Sequence, residues 1–443
     1  MTRILHAVHA FAPEPTGGTE RHVSGLASAQ LARGHEPIVV AGTLRWRARV
    51  EETEADHAGL RVLRLHRDDF HYERWHKGYH PEVSQRFDAI LGRERPDVVH
   101  VHHWLRLTLD LAQRARARGI PVVVSLHDSY ATCPTIHRVL PDGTVCQTPA
   151  SAAACGGCLG AEYPDFADLD ADALRLRQEM LLGELGAASR VLALSQSQAD
   201  RMAPLLPGLR VDVQPFTSFQ RLAPSPLPPP PPPLHVACMG HLNPGKAQHA
   251  LLEAVRGLPR PRDVVVHLFG EIHPASYAAR LRELAAGLDV VWHGRYEYAQ
   301  VEATPLHLVA LTSTLPETYG LVLDEARMLG VPVVATDRGA YRERIGRGGV
   351  LVPAGDVAAL RDALGRLLAE PSTLQALREG VTAPPDGAGL VDFFERVYAD
   401  ALVDGPRVSV PSWTVDRVLH DFHRADRLER LVHRLSDRHG EPR

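Results

Sequence analysis

The sequence predicts two doubly wound α/β domains, each a parallel sheet flanked by helices, facing each other across a cleft. Three observations predict it. Short apolar runs alternate with longer amphipathic stretches from the first residues on, which is the pattern of strand-helix-strand units around a parallel sheet. The alternation stops at a proline tract and then restarts, so the pattern occurs twice. Finally, 443 residues with 44% hydrophobic content can bury two ordinary cores.

Taken in order, residues 4–8 read as the first strand. Residues 19–33 follow as a helix with Val23, Leu26, Ala27 and Leu31 on one face, and Gly34 ends it as helix C-termini prefer. Further strands are expected at 37–41, 60–65, 97–101, 122–126 and 190–194, several of them introduced by Pro or Gly. The tract at 223–234 holds too many prolines for a helix or central strand, and reads as an extended linker. Strands then resume at 234–239, 264–269, 290–292, 307–311, 331–335 and 350–352. The expected division is 1–222 as the front domain, with a Cys-rich insertion at 130–160, then the linker 223–234, the rear domain 235–387, and a helical tail 388–443. In that tail 390–402 reads as one helix and 413–438 as an apolar stripe at helical spacing, suited either to packing back on the front domain or to a homodimer contact.

Composition excludes several functions. A formal net charge of −4 gives no global field that would attract nucleic acid or an anionic membrane, and Arg45-Trp-Arg-Ala-Arg49 is the single compact basic stretch, read as a solvated loop or a weak contact for an anionic acceptor. No segment has the roughly 18 uninterrupted apolar residues of a membrane span. The first residues are too broken by His and Pro for a signal peptide core. The expected address is the cytoplasm, with room for peripheral contact at a membrane.

Ligands of doubly wound sheets bind beyond the carboxyl ends of the strands, and the chemistry-bearing motifs fall there. The segment Leu315-Pro-Glu-Thr-Tyr-Gly-Leu-Val-Leu-Asp-Glu325 puts Glu317 in a strand-to-helix loop and Glu325 about a turn into the helix. An ionised carboxylate offers only acceptors, so each can take the paired hydroxyls of a sugar or ribose. Gly320 between them lets backbone approach a ligand, and the helix amides favour a phosphate. Gly17 and Gly18, in Pro13-Glu-Pro-Thr-Gly-Gly-Thr-Glu20, open the first helix in the same manner. Met239-Gly-His-Leu-Asn-Pro-Gly-Lys246 ends the first rear strand, and a lysine at a helix start is unfavourable unless an anion compensates it. His127 and Asp128 close a strongly apolar strand, while His100, His102 and His103 read as loop and packing material. Four of the five cysteines, Cys133, Cys146, Cys155 and Cys158, are clustered, and the last pair is two residues apart; in a reducing compartment that spacing predicts a four-thiolate structural zinc, ahead of free thiols and of disulfides.

The Glu317 to Glu325 segment resembles the E-x7-E signature of retaining glycosyltransferase family 4, whose GT-B fold pairs two Rossmann-like domains. The glycine pair, the Lys246 loop and the His127-Asp128 pair follow that family's order, so the resemblance spans nearly all of residues 1–400. It implies a nucleotide-diphosphate sugar as donor, a hydroxyl-bearing acceptor (glycan, lipid-linked or small molecule), retention at the anomeric carbon and no essential catalytic metal. It further implies that His127, Lys246 and Glu317 are catalytic, and that Gly17, Gly18, Gly240, His241, Thr318, Tyr319, Gly320, Leu321 and Glu325 join Lys246 and Glu317 around the donor. Glu20 and Asp128 fall on the acceptor side. The chain departs from the family at His241, where an arginine is usual, which weakens the expected two-cation clamp on the diphosphate. A GT-B sugar-nucleotide epimerase and a non-catalytic nucleotide-sugar-binding protein are the alternatives.

Overall fold

The computed structural model describes residues 1–14, 17–69, 75–162 and 171–404. The front sheet is built from β1 (Arg3–Val8), β2 (Glu36–Ala41), β3 (Glu51–His57), β4 (Leu60–His66), β5 (Val98–Val101), β6 (Val122–Leu126), β7 (Arg190–Ala193) and β8 (Val211–Val213). Their spatial order is β3-β4-β2-β1-β5-β6-β7-β8, and every pairing is parallel except β3 with β4. The rear sheet, wholly parallel, holds β9 (Leu234–Met239), β10 (Val264–Phe269), β11 (Asp289–Gly294), β12 (Leu308–Leu311), β13 (Val333–Thr336) and β14 (Gly349–Val352) in the order β11-β10-β9-β12-β13-β14. In both sheets the chain starts in the middle and winds outward in two directions, so each has a switch point, at β1/β5 and at β9/β12.

The central strands are continuous apolar runs because helices cover both faces. Val99, Val101, Val122 and Val124 sit in one large front cluster, and Val236, Val264, Val266 and Leu308 in its rear counterpart. The helix Ala388–Asp404 returns to the front domain, where Leu390, Phe394 and Tyr398 pack on Ile4, Leu26, Val98 and Val123. Of the two options for the tail, packing back is what this described part does; the 413–438 stripe lies outside the described residues. The proline tract lies along the rear domain, with Ser225 N bonded to Leu329 O and Ser225 Oγ to Thr304 O.

At the rear switch region the backbone turns are tight. Gly270 has φ +148°, and a Cβ there would lie 1.8 Å from Gly240 O. Because that neighbour is backbone at the base of the cleft, Gly270→Ala is expected to cost more than about 3 kcal/mol. Chemical denaturation checks this; a variant as stable as the parent would show that the two turns are free to move apart.

Candidate active site

Residues from both halves meet where the carboxyl ends of the two sheets face each other. In the front domain β6 delivers His127, and α1 (Gly18–Ala32) starts at the glycine pair. In the rear domain β9 runs into Gly240, whose φ of +98° turns the chain toward His241 and Lys246. After β12 come Thr312 and the loop carrying Glu317, Thr318 and Tyr319, and Gly320 then begins the helix Leu321–Met328. Gly320 has φ +82°, and a Cβ would sit 2.5 Å from the Tyr341 ring. No side chain caps that helix, so its first amides stay available to a ligand.

These elements enclose a cavity of about 270 Å³. Gly18, Arg21 and His127 line it from the front, with Gly240, His241, Lys246, Glu317, Thr318, Tyr319, Gly320 and Leu321 from the rear. Direct bonds hold the halves together, since Thr318 Oγ1 donates to His127 O at 2.8 Å and Tyr319 OH to Phe216 O at 2.5 Å. Ligand pockets commonly begin at about 300 Å³. At about 270 Å³ this cavity lies near the lower end of that range and is partly open to solvent.

Lys246 Nζ contacts Glu317 Oε1 at 2.5 Å, and the carboxylate is the more buried partner. Each side chain neutralises the other while no ligand competes. His127 is buried, and burial drives its imidazole down to about 3, so it is neutral at working pH. Asp128 accepts from His103 Nε2 at 3.1 Å and from Tyr130 N at 2.7 Å. Burial pushes its carboxyl up, but His103 and that amide outweigh it and bring it to about 2. His241 lies at the rim, with its imidazole lowered by partial loss of solvent around the ring and by the Lys246 and Arg21 charges. It therefore supplies no second cation at neutral pH.

Four of the expected residues do not line this cavity. Glu325 is 2% exposed and is not among the cavity-lining residues. It accepts from Tyr298 OH at 2.8 Å and faces Arg21 at 3.5 Å, and burial raises its carboxyl. A ribose reaches it only after Arg21 and Tyr298 give way. Gly17 and Glu20 also lie outside the lining, because Glu20 Oε2 takes Gly17 N at 2.8 Å and Oε1 takes His9 Nε2 at 2.8 Å. Burial opposes ionisation of Glu20, yet the His9 contact and these amides hold it down at about 2. Asp128 is likewise turned to His103 rather than lining the cavity.

Arg21 is the charged lining residue that sequence reasoning misses. It lies in the first turn of α1, on the same face as the glycine pair, and that spacing was its one legible signal. Its guanidinium bonds Tyr298 OH and faces Glu325, joining front to rear.

The cysteine insertion does not close as a zinc set. All four cysteines are free, and among the described residues no group of three or more ligand atoms within 4.8 Å of one another includes a thiol. A tetrahedral site with bonds of about 2.3 Å needs its sulfurs within roughly 4 Å. Arg138 donates to Cys146 Sγ at 3.5 Å as well as to Thr132 O and Thr148 O. Cys133 Sγ is paired with Thr135 Oγ1 at 3.4 Å, and burial pushes the Cys155 and Cys158 thiols up.

Comparison with known proteins agrees with this architecture. Residues 16–215 match Glycosyltransferase Family 4, and residues 233–370 match Glycosyl transferases group 1. The chain is 29% identical over 349 residues to a D-inositol 3-phosphate glycosyltransferase 1 of Catenulispora acidiphila, spanning 74% of this chain and 78% of that one. A shorter stretch of 107 residues is 42% identical to a phosphatidyl-myo-inositol mannosyltransferase of Mycobacterium leprae, 22% of this chain and 27% of the relative. The fold is shared with sucrose-phosphate synthase from Thermosynechococcus elongatus at TM-score 0.67 and 18% identity, over 90% of this chain and 98% of the other. HepE of Anabaena, solved with UDP, superposes at TM-score 0.58 and 18% identity over 90% and 99%. No helix among the described residues is long and apolar enough to cross a membrane. The chain is thus a GT-B glycosyltransferase of the sugar-nucleotide-using kind, with a family 4 domain in front and a group 1 domain behind.

Proposed function

We propose that this glycosyltransferase retains anomeric configuration, moving a glycosyl group from a nucleoside diphosphate to an acceptor hydroxyl. The observation that carries it is the meeting of Lys246, Glu317 and the uncapped helix start at Leu321 with Gly18, Arg21 and His127 around one cavity. In this reading the diphosphate lies between Lys246 and Arg21, with the Gly320–Leu321 amides beside it. Glu317, released from Lys246, accepts hydroxyls of the transferred sugar, while His127 is close to the reacting carbon. The bond from anomeric carbon to phosphate oxygen breaks and a bond to the acceptor oxygen forms on the same face. The acceptor proton passes to the departing phosphate oxygen. Glu317 and Glu325 lie on one side of the cleft, which does not suit a pair of carboxylates straddling the bond. Positioning and charge stabilisation therefore supply the rate.

The relatives named above act, by their names, on inositol phosphate and phosphatidylinositol, so a polyol phosphate is the first acceptor class to try. The test incubates the full chain with UDP-, GDP- and ADP-sugars, with and without inositol phosphates, and follows product configuration by proton NMR. An axial glycoside from an α-linked donor is expected. An inverted product overturns retention. Epimerisation of the donor without acceptor would favour the epimerase instead.

A further inference from the structure

We propose that His22, His102 and His127 form a binding site for a divalent transition-metal ion of the zinc class, set in the front wall of the cleft. The three imidazoles come from α1, from the turn after β5 and from the end of β6, and one nitrogen of each lies within 4.8 Å of the others. All three are at least nine-tenths buried.

His22 points to a missing ligand. It is 3% exposed, and neither ring nitrogen has a hydrogen-bond partner. Its ring contacts include a 4.4 Å stack on Phe216, the His127 ring at 5.2 Å and the His102 ring at 5.8 Å. A buried donor and acceptor left unmade cost about 1–3 kcal/mol each. One metal bond relieves the acceptor and anchors the ring. A neighbouring group, His6 with His100 and His102, has similar spacing but lacks this feature. There His6 bonds Gln30 Oε1 at 2.8 Å, and His100 bonds Tyr398 OH and Ser125 Oγ at 2.8 Å each.

The outer contacts of His102 have the form that metal-bound histidines use. Its Nε2 is 3.0 Å from His6 Nδ1, and His6 in turn bonds Gln30 Oε1. A histidine that donates its far N–H into such a chain is fixed in the tautomer that leaves Nδ1 as a ligand atom. Nδ1 of His102 lies 3.0 Å from His127 Nε2, the two atoms an ion would bridge. Burial also keeps all three rings neutral, which is the form that binds metal. With Nε2 on the ion, His127 is left with Nδ1–H as a donor for the cleft. The ion does not take part in bond breaking here; it ties α1 to the sheet and sets the His127 tautomer.

The experiment compares the full chain with His22→Phe, which keeps a ring against Phe216. Each is stripped with a chelator, titrated with Co²⁺ and then with Zn²⁺, and crystals of the Zn²⁺ form are measured at the zinc edge. Expected are one fewer metal ion per chain in His22→Phe and loss of cobalt d–d absorption, with an anomalous peak between the three imidazoles of the parent. Equal metal content in both proteins, or a peak only at the cysteines with a thiolate-to-cobalt band, overturns the proposal. Circular dichroism of the stripped variant shows whether it is folded, and if it is not, the anomalous map of the parent alone decides.

Discussion

Replacing Lys246 by alanine is expected to lower kcat by about 10²–10³ while changing the donor KM less. A point charge beside the diphosphate matters most as the leaving group gains negative charge, so its removal is felt in the transition state. A second loss compounds this one. Glu317 would remain as an uncompensated carboxylate, mostly buried, next to the anion that the site must hold. Steady-state kinetics with the donor varied up to saturation, alongside thermal unfolding of both proteins, checks the split. The double replacement Lys246→Ala with Glu317→Ala should be no more active than the single one, because Glu317 also holds sugar hydroxyls. Unchanged kcat in Lys246→Ala would reduce the pair to a structural ion bridge.

The sequence was most legible where burial leaves one reading. All six rear strands show as apolar runs, the inner ones because helices cover both faces, and their expected limits lie within two residues of the observed ones. In the front sheet β3 was invisible. Glu51-Glu-Thr-Glu-Ala-Asp-His57 has no apolar alternation, since it is an exposed edge strand pairing on one side with β4, and charge there discourages pairing with another chain. β8 has three residues, too few for a pattern.

At the site, legibility followed distance along the chain. Lys246 follows Gly245 and Glu317 lies three residues before Gly320, in strand-to-helix loops that the local sequence makes legible. Glu325 looked like a ligand residue because Tyr298, 27 residues before it, and Arg21, 304 residues before it, cannot be seen as its partners in a linear reading. The cysteine spacing suggests a shared thiol cluster, and Cys155 and Cys158 do lie within electrostatic reach of Cys133 and Cys146, but the bond from Arg138 to Cys146 Sγ cannot be read from that spacing.

Arg21→Ala should weaken binding of UDP or GDP by about two- to thirtyfold, and His241→Arg placed in the same chain should restore much of it. Two effects compete in the first variant. Losing a guanidinium from a diphosphate removes a charge-assisted bond worth about 1.5–3 kcal/mol. Uncovering Glu325 lets ribose hydroxyls reach a carboxylate without first displacing Arg21, a gain nearer 1 kcal/mol, so the loss decides the sign. The rescue follows from position. His241 lines the same cavity and is held neutral, so a guanidinium there restores the second cation without covering Glu325. Isothermal titration with each nucleoside diphosphate reads this directly. If the parent binds and Arg21→Ala binds equally well, Arg21 only latches the closed cleft through Tyr298 and Glu325. If the parent binds no nucleoside diphosphate at all, the reading of the cleft as a donor site is the part that fails.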